Sequence, residues 1–224
     1  MPRTTIAFDL DGTLVDTAPD LIDTLNVIFA REGIPPVPHE QARLSIGGGA
    51  RAMISRGLTA IRREVSSAEL DKLFVDFIEH YSAHIADRSR PFPGVERALE
   101  RLSADDYILA VCTNKLEGLS RQLLETLRLS RYFAAICGQD TFAVQKPDPA
   151  ILVRTIAAAG GNTSAAIMVG DSETDVLTAR AADISVIAVD FGYTERPIAE
   201  FNPDHVISHF DDLENAIARV MNRA

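Results

Sequence analysis

The chain is short of cysteine, of clustered positive charge and of long apolar runs, and each shortage removes a class of function. Only Cys112 and Cys137 are present in 224 residues. Both lie in apolar segments, and neither has a partner Cys or His at metal-ligand spacing. They read as small buried side chains in a reducing compartment, not as a redox pair. No Lys/Arg stripe interrupts a formal net charge of −10, so neither nucleic acid nor an anionic membrane is an expected partner. No apolar run approaches the length needed to span a bilayer. The first residues lack a signal-peptide pattern, since Arg3, Thr4 and Thr5 lead directly into a short apolar run. A cytoplasmic monomer or homodimer is expected. Internal repeats and low-complexity segments are also missing.

What is present is a globular composition, 46% hydrophobic and 24% charged, in a chain long enough for one large domain or a domain with an insert. The run Ile6-Ala7-Phe8, broken by Asp9 and then by Asp11-Gly12, reads as a buried strand. From about Pro19 to Glu32, and again over 40–86, the periodicity is helical. Leu70, Leu73, Phe74, Phe77, Ile78 and Tyr81 form an apolar stripe at helix spacing. After Gly94 helices and strands alternate, with strands expected at Tyr107 to Cys112, Ala134 to Cys137, Ala166 to Val169, Ser185 to Val189 and Asp204 to Ile207. This alternation predicts an α/β class: a Rossmann-like parallel sheet core with helices on both faces. The helical stretch then becomes a cap inserted after the first strand. The expected division is a catalytic core of residues 1–16 and 91–224 and a helical cap domain of residues 17–90.

Ligands of open α/β sheets gather beyond the carboxyl ends of the strands. Four predicted strands end in polar residues there: Asp9-Leu10-Asp11-Gly12-Thr13, Thr113-Asn114-Lys115, a loop leading to Lys146-Pro147, and Gly170-Asp171-Ser172-Glu173-Thr174-Asp175. Phosphoryl transfer needs these groups: an in-line nucleophile, a cation and donors for the non-bridging oxygens, and an acid for the leaving oxygen. A carboxylate can attack phosphorus to give an aspartyl-phosphate. Carboxylates crowded together repel without a cation, and magnesium prefers such oxygen ligands.

In order and spacing these four stretches resemble the signature motifs of the haloacid dehalogenase superfamily, over nearly the whole chain. The resemblance implies that Asp9 is the nucleophile and Asp11 the general acid and base. It implies that Asp9, the Asp11 main-chain carbonyl and Asp171 hold Mg2+. Asp175 would support the metal shell through water or orient Lys146. Thr113 and Asn114 would donate to the phosphoryl oxygens, and Lys146 would balance the charge of the nucleophile. An Asp two residues after the nucleophile fits a phosphate-ester hydrolase better than a dehalogenase.

Substrate choice is expected in the cap. In Ile46-Gly47-Gly48-Gly49-Ala50-Arg51 the glycines Gly47 and Gly48 open a helix, where backbone N–H groups can face an anion. Arg51 can pair with a carboxylate. This segment, with the other motifs, resembles bacterial phosphoglycolate phosphatases, which implies a small phosphorylated metabolite as the partner. Alternatives are another capped phosphatase (for a sugar phosphate, nucleotide or pyrophosphate), a phosphomutase, or a non-catalytic binder of a phospho-ligand.

Overall fold

The computed structural model describes residues 3–194 and 196–222. Six of the strands, β1 (Thr5–Phe8), β4 (Ile108–Cys112), β5 (Ala135–Cys137), β6 (Ala166–Gly170), β7 (Ser185–Val189) and β8 (His205–Ile207), form one sheet. Its order is β5-β4-β1-β6-β7-β8 and every pairing is parallel. Strand side chains alternate between faces with period two. Ile6 and Phe8, Leu109 and Val111, and Ile167 and Val169 therefore enter one core. Ala7, Cys112 and Met168 enter the other. Helices α5 (Val95–Ala104), α6 (Glu117–Thr126) and α9 (Leu213–Met221) pack on the first face. Helices α7 (Pro149–Ala158) and α8 (Glu173–Ala181) pack on the second. Cys112 and Cys137 are both free and buried.

The first strand is central, and this places the chemistry. Phe8 pairs in register with Val111 of β4 and Val169 of β6. The residues after those three strands, Asp9, Thr113 and Asp171, thus leave the sheet along one edge.

Between β1 and β4 the chain forms α1 (Ala18–Arg31), α2 (His39–Leu44), α3 (Ala50–Ala60) and α4 (Ser67–Ala83). Leu73, Phe77 and Tyr81 of the α4 stripe are buried, and Leu70, Phe74 and Ile78 pack partly buried against the same core. A capping box of Ser66 and Glu69 fixes the start of α4. The sequence reading contains no strand here. The structure adds a two-residue antiparallel ladder, β2 (Val15–Asp16) with β3 (Arg90–Pro91), where the chain leaves and re-enters the sheet domain. Beside it the buried Asp20 carboxylate accepts from Arg88 N, Ser89 N and Ser89 Oγ at 2.6–3.1 Å. One carboxylate at the start of α1 thereby holds the returning chain. Among the described residues no helix is long and apolar enough to cross a membrane.

Candidate active site

A cavity of about 350 Å³ opens at the carboxyl edge of the sheet, a size that suits a small ligand. Asp9, Asp11, Thr113, Asn114, Lys146 and Asp171 line it from the sheet, and Gly47, Gly48, Phe77 and Tyr81 from the helical insert.

Asp9 is placed by its own backbone, whose N–H donates to Val169 O at 2.9 Å. The chain then turns sharply: Leu10 O accepts from Thr13, Leu14 and Val15 N–H. Asp11 is thereby brought to the cavity wall two residues after Asp9. The Lys146 ammonium lies 2.9 Å from Asp9 Oδ1 and 2.6 Å from Asp175 Oδ1. Its contact with Asp175 is a hydrogen bond. Asp9 Oδ1 itself is buried without an aligned hydrogen-bond donor. Burial pulls the Lys146 ammonium toward neutrality, but the Asp175 and Asp9 carboxylates outweigh it and hold the group cationic.

Asp171 follows β6 in a slot that only backbone could form. Thr13 Oγ1 donates to its Oδ1, and Tyr193 N–H donates to its Oδ2, both at 2.9 Å. Gly12 and Gly192 flank it. A Cβ at Gly192 would stand 2.2 Å from Asp171, and one at Gly12 2.5 Å from Asp171 Oδ2. Asp175 Oδ2 accepts from the N–H groups of Asp171 and Ser172 and from Ser172 Oγ, completing a capping box at the start of α8. The same residue thus caps a helix and orients Lys146.

Carboxylate oxygens of Asp9, Asp171 and Asp175 lie within 4.8 Å of one another, and all three residues are buried. Burial raises the Asp9 carboxyl well above its ordinary range, with Lys146 opposing. Burial, then Asp175 and Asp9, raises Asp171 further. Among the described residues, the ion pairs of these four carboxylates, counting Asp11, come from the ammonium groups of Lys146 and Lys115. The excess negative charge and the clustered carboxylate oxygens fit a hard divalent cation.

Thr113 and Asn114 reach the cavity but differ in what they have left to give. Thr113 Oγ1 accepts from Lys115 N–H, so its own proton remains for another acceptor. The Asn114 amide instead spans the Lys146 backbone, accepting from Lys146 N at 2.8 Å and donating to Lys146 O at 3.0 Å. The Asn114 side chain thus fixes Lys146, and its amide keeps a second N–H at the cavity wall.

Gly47 and Gly48 line the cavity ahead of Gly49, the N-cap of α3. Arg51 does not. Its guanidinium pairs with Asp71 at 2.6 Å and stacks on Phe74, with both ionic side chains about half exposed or more. The expected partner for a carboxylate is therefore already engaged within the insert. Arg56, one and a half turns further, does reach the wall and donates to Ser45 O and Gly47 O.

Three further residues contribute, and two of them, Tyr193 and Gly192, carry no signal in local sequence. Lys115 Nζ contacts both Asp11 oxygens at 3.0 and 3.2 Å and lies 4.4 Å from the Tyr81 ring centroid. The Tyr193 hydroxyl accepts from Thr17 and Ala18 N–H and donates to Asp16 Oδ1 at 2.7 Å. Gly192 makes room for Asp171. Lys115 sits inside a quoted motif, and an ion-pair partner for Asp11 was the signal available there.

The chain's relatives agree with this geometry. Residues 6–189 match the family of haloacid dehalogenase-like hydrolases. A phosphoglycolate phosphatase of Mesorhizobium japonicum is 51% identical over 100% of this chain and 99% of its own. One of Caulobacter vibrioides is 47% identical over 95% of this chain and 90% of its own. A crystal structure described as a predicted phosphoglycolate phosphatase from Haemophilus somnus superposes with a TM-score of 0.89 at 29% identity, covering 95% of this chain and 97% of that one. With the parallel sheet and the four rim segments in place, the match shows that this chain belongs to the haloacid dehalogenase-like hydrolase family.

Proposed function

We propose that this hydrolase is a magnesium-dependent phosphatase that cleaves a small phosphate monoester, 2-phosphoglycolate, to glycolate and phosphate through an aspartyl-phosphate on Asp9. The observation that carries the reading is the convergence of Asp9, Asp11, Lys146 and Asp171 on one cavity at the sheet edge. The full-length relatives named phosphoglycolate phosphatase support the choice of substrate.

In this reading residues 1–16 and 91–224 are the catalytic core and residues 17–90 the cap. Asp9 attacks phosphorus, and the phosphoryl group leaves the ester oxygen for the Asp9 carboxylate. Asp11 gives its proton to the departing glycolate oxygen, then takes one from the water that hydrolyses the intermediate. Thr113 donates its hydroxyl proton to a phosphoryl oxygen, and the Gly47-Gly48 backbone faces the remainder of the substrate. Lys146 holds the Asp9 carboxylate in place and offsets its charge while Asp175 holds Lys146. Asp9, Asp171 and the main-chain carbonyl of Asp11 would hold Mg2+, with Asp175 beside them; the ion would neutralise the phosphoryl oxygens. The apolar wall of the insert excludes bulk water from the reacting groups.

The test is phosphate release from a panel of phosphorylated metabolites with magnesium present. The reading expects 2-phosphoglycolate to give the highest kcat/KM. A sugar phosphate, nucleotide or pyrophosphate with a higher value would replace the substrate and leave the reaction type standing. Absence of phosphate release from every compound would remove the enzyme reading.

A further inference from the structure

Two donors from opposite walls of the cavity meet beside Asp11, and neither has a place in the chemistry above. Lys115 comes from the segment after β4. Its side chain is buried and it lines the cavity. An ammonium carries three N–H donors, and the Asp11 carboxylate occupies at most two of them. Tyr81 comes from α4 in the insert. It is fully buried, it lines the same cavity, and its hydroxyl proton has no acceptor. The Lys115 ammonium lies 4.4 Å from the Tyr81 ring centroid and beside the hydroxyl, so the two groups stand together while the phenol proton is still to be given. A buried phenol proton without an acceptor is costly unless something fills the place.

We propose that Lys115 and Tyr81 form the subsite that reads the carboxylate of the substrate, one donor from the core and one from the insert. This deepens the reading of the active site as one for a phosphorylated carboxylic acid, and rests on it. The two groups fit an anion better than a sugar hydroxyl, since the ammonium can only donate and the phenol has a proton to give. Their position beside Asp11, two residues from the attacking carboxylate, suits a substrate whose acid group stands a short carbon chain from its phosphate. Other basic groups lining the cavity have partners of their own: Lys146 holds Asp9 and Asp175, Arg56 donates to Ser45 O and Gly47 O, and Arg196 pairs with Glu200. Binding is then a bridge, with the carboxylate closing the gap between sheet edge and insert.

The experiment compares 2-phosphoglycolate with 2-hydroxyethyl phosphate, which keeps the phosphate ester and replaces the carboxylate by a neutral hydroxymethyl group. The readout is the ratio of the two kcat/KM values, in which any general effect on turnover cancels. In the unaltered protein the ratio favours the acid. Lys115→Met is expected to lower it about a hundredfold and Tyr81→Phe about tenfold, as for a site that loses a hydrogen-bond donor to its ligand. Calorimetric titration with glycolate provides a measure independent of turnover, and each variant is expected to weaken it in the same order. An unchanged ratio in Tyr81→Phe, which removes one oxygen and keeps the ring, would overturn the subsite even if Lys115→Met fails to fold. Equal losses on both substrates in Lys115→Met would reduce Lys115 to a partner of Asp11. If the unaltered protein shows no preference for the acid, the subsite falls together with the choice of substrate; the former outcomes leave that choice intact.

Discussion

The sheet edge and the insert wall look onto the same cavity, yet they hold it by different means. At the sheet edge Asp9, Asp171, Asp175 and Lys146 are all buried, and each is fixed by charge or by hydrogen bonds from two or more segments. The insert offers mainly backbone and apolar side chains, Gly47, Gly48, Met53, Phe77 and Ile78 among them, and its one expected reader of charge, Arg51, points to a neighbour on its own surface. A buried charge network is costly to disturb, because any partner removed leaves another uncompensated. An apolar wall tolerates exchange of shape at modest cost. The reaction is thus tied to the charged sheet edge, and selection to the place where the two walls meet.

Substitutions graded across the two regions can break this contrast. The largest effect is expected from Asp9→Asn at the sheet edge. Without the attacking carboxylate, kcat for phosphate release should fall by at least about ten-thousandfold; turnover within about tenfold of the unaltered protein would show that another group attacks. Next comes the ion. Magnesium at about a hundred times its Kd should stabilise the folded chain by about 2.7 kcal/mol, measured by denaturant unfolding. The sign of its pH dependence follows from the raised carboxyls. Asp9 and Asp171 keep protons in the ion-free folded state above the usual carboxylate range, Asp171 up to about 8. Ion-free stability from these groups is therefore present at low pH and lost as pH rises through that range. Magnesium, which needs them ionised, should stabilise more at pH 8 than at pH 5. A magnesium effect that is flat or larger at pH 5 would place the ion elsewhere.

Tyr193→Phe, at the junction of the two regions, should cost about 1–3 kcal/mol, because two buried N–H groups and Asp16 lose their partner. A loss below about 0.5 kcal/mol would mean that the β2–β3 ladder and the Asp20 bonds hold the joint without it. The smallest effect belongs to Arg51→Ala in the insert. Its pair with Asp71 is exposed, so stability should move by less than about 1 kcal/mol. The preference for a carboxylated substrate should stay within about twofold. A selective loss on the acid substrate would return Arg51 to the cavity and erase the contrast at that point.

The legible parts of the molecule are those whose cause is local. Apolar bursts ending in carboxylates mark β1 and β6, and the α4 stripe runs at a helical period, so Asp9, Asp171 and the core-facing side of α4 are readable one segment at a time. Strand Ser185–Val189 coincides with its expected limits. The β2–β3 ladder is not readable, because two-residue strands have no periodicity and pair across more than seventy positions. The engagement of Asn114 with the Lys146 backbone, of Arg51 with Asp71 and of Lys115 with Asp11 are likewise choices among distant partners. Composition and spacing narrow such choices only once the chain is folded.

The slot around Asp171 has a consequence for any attempt to redesign this protein. Its two walls are residues without side chains, and a single methyl group added at position 12 or 192 would have to occupy the space of a carboxylate. Such an exchange removes no charge, no donor and no acceptor. It would nevertheless displace the acidic group from its seat, so a lesion invisible to any inventory of polar atoms could silence the enzyme.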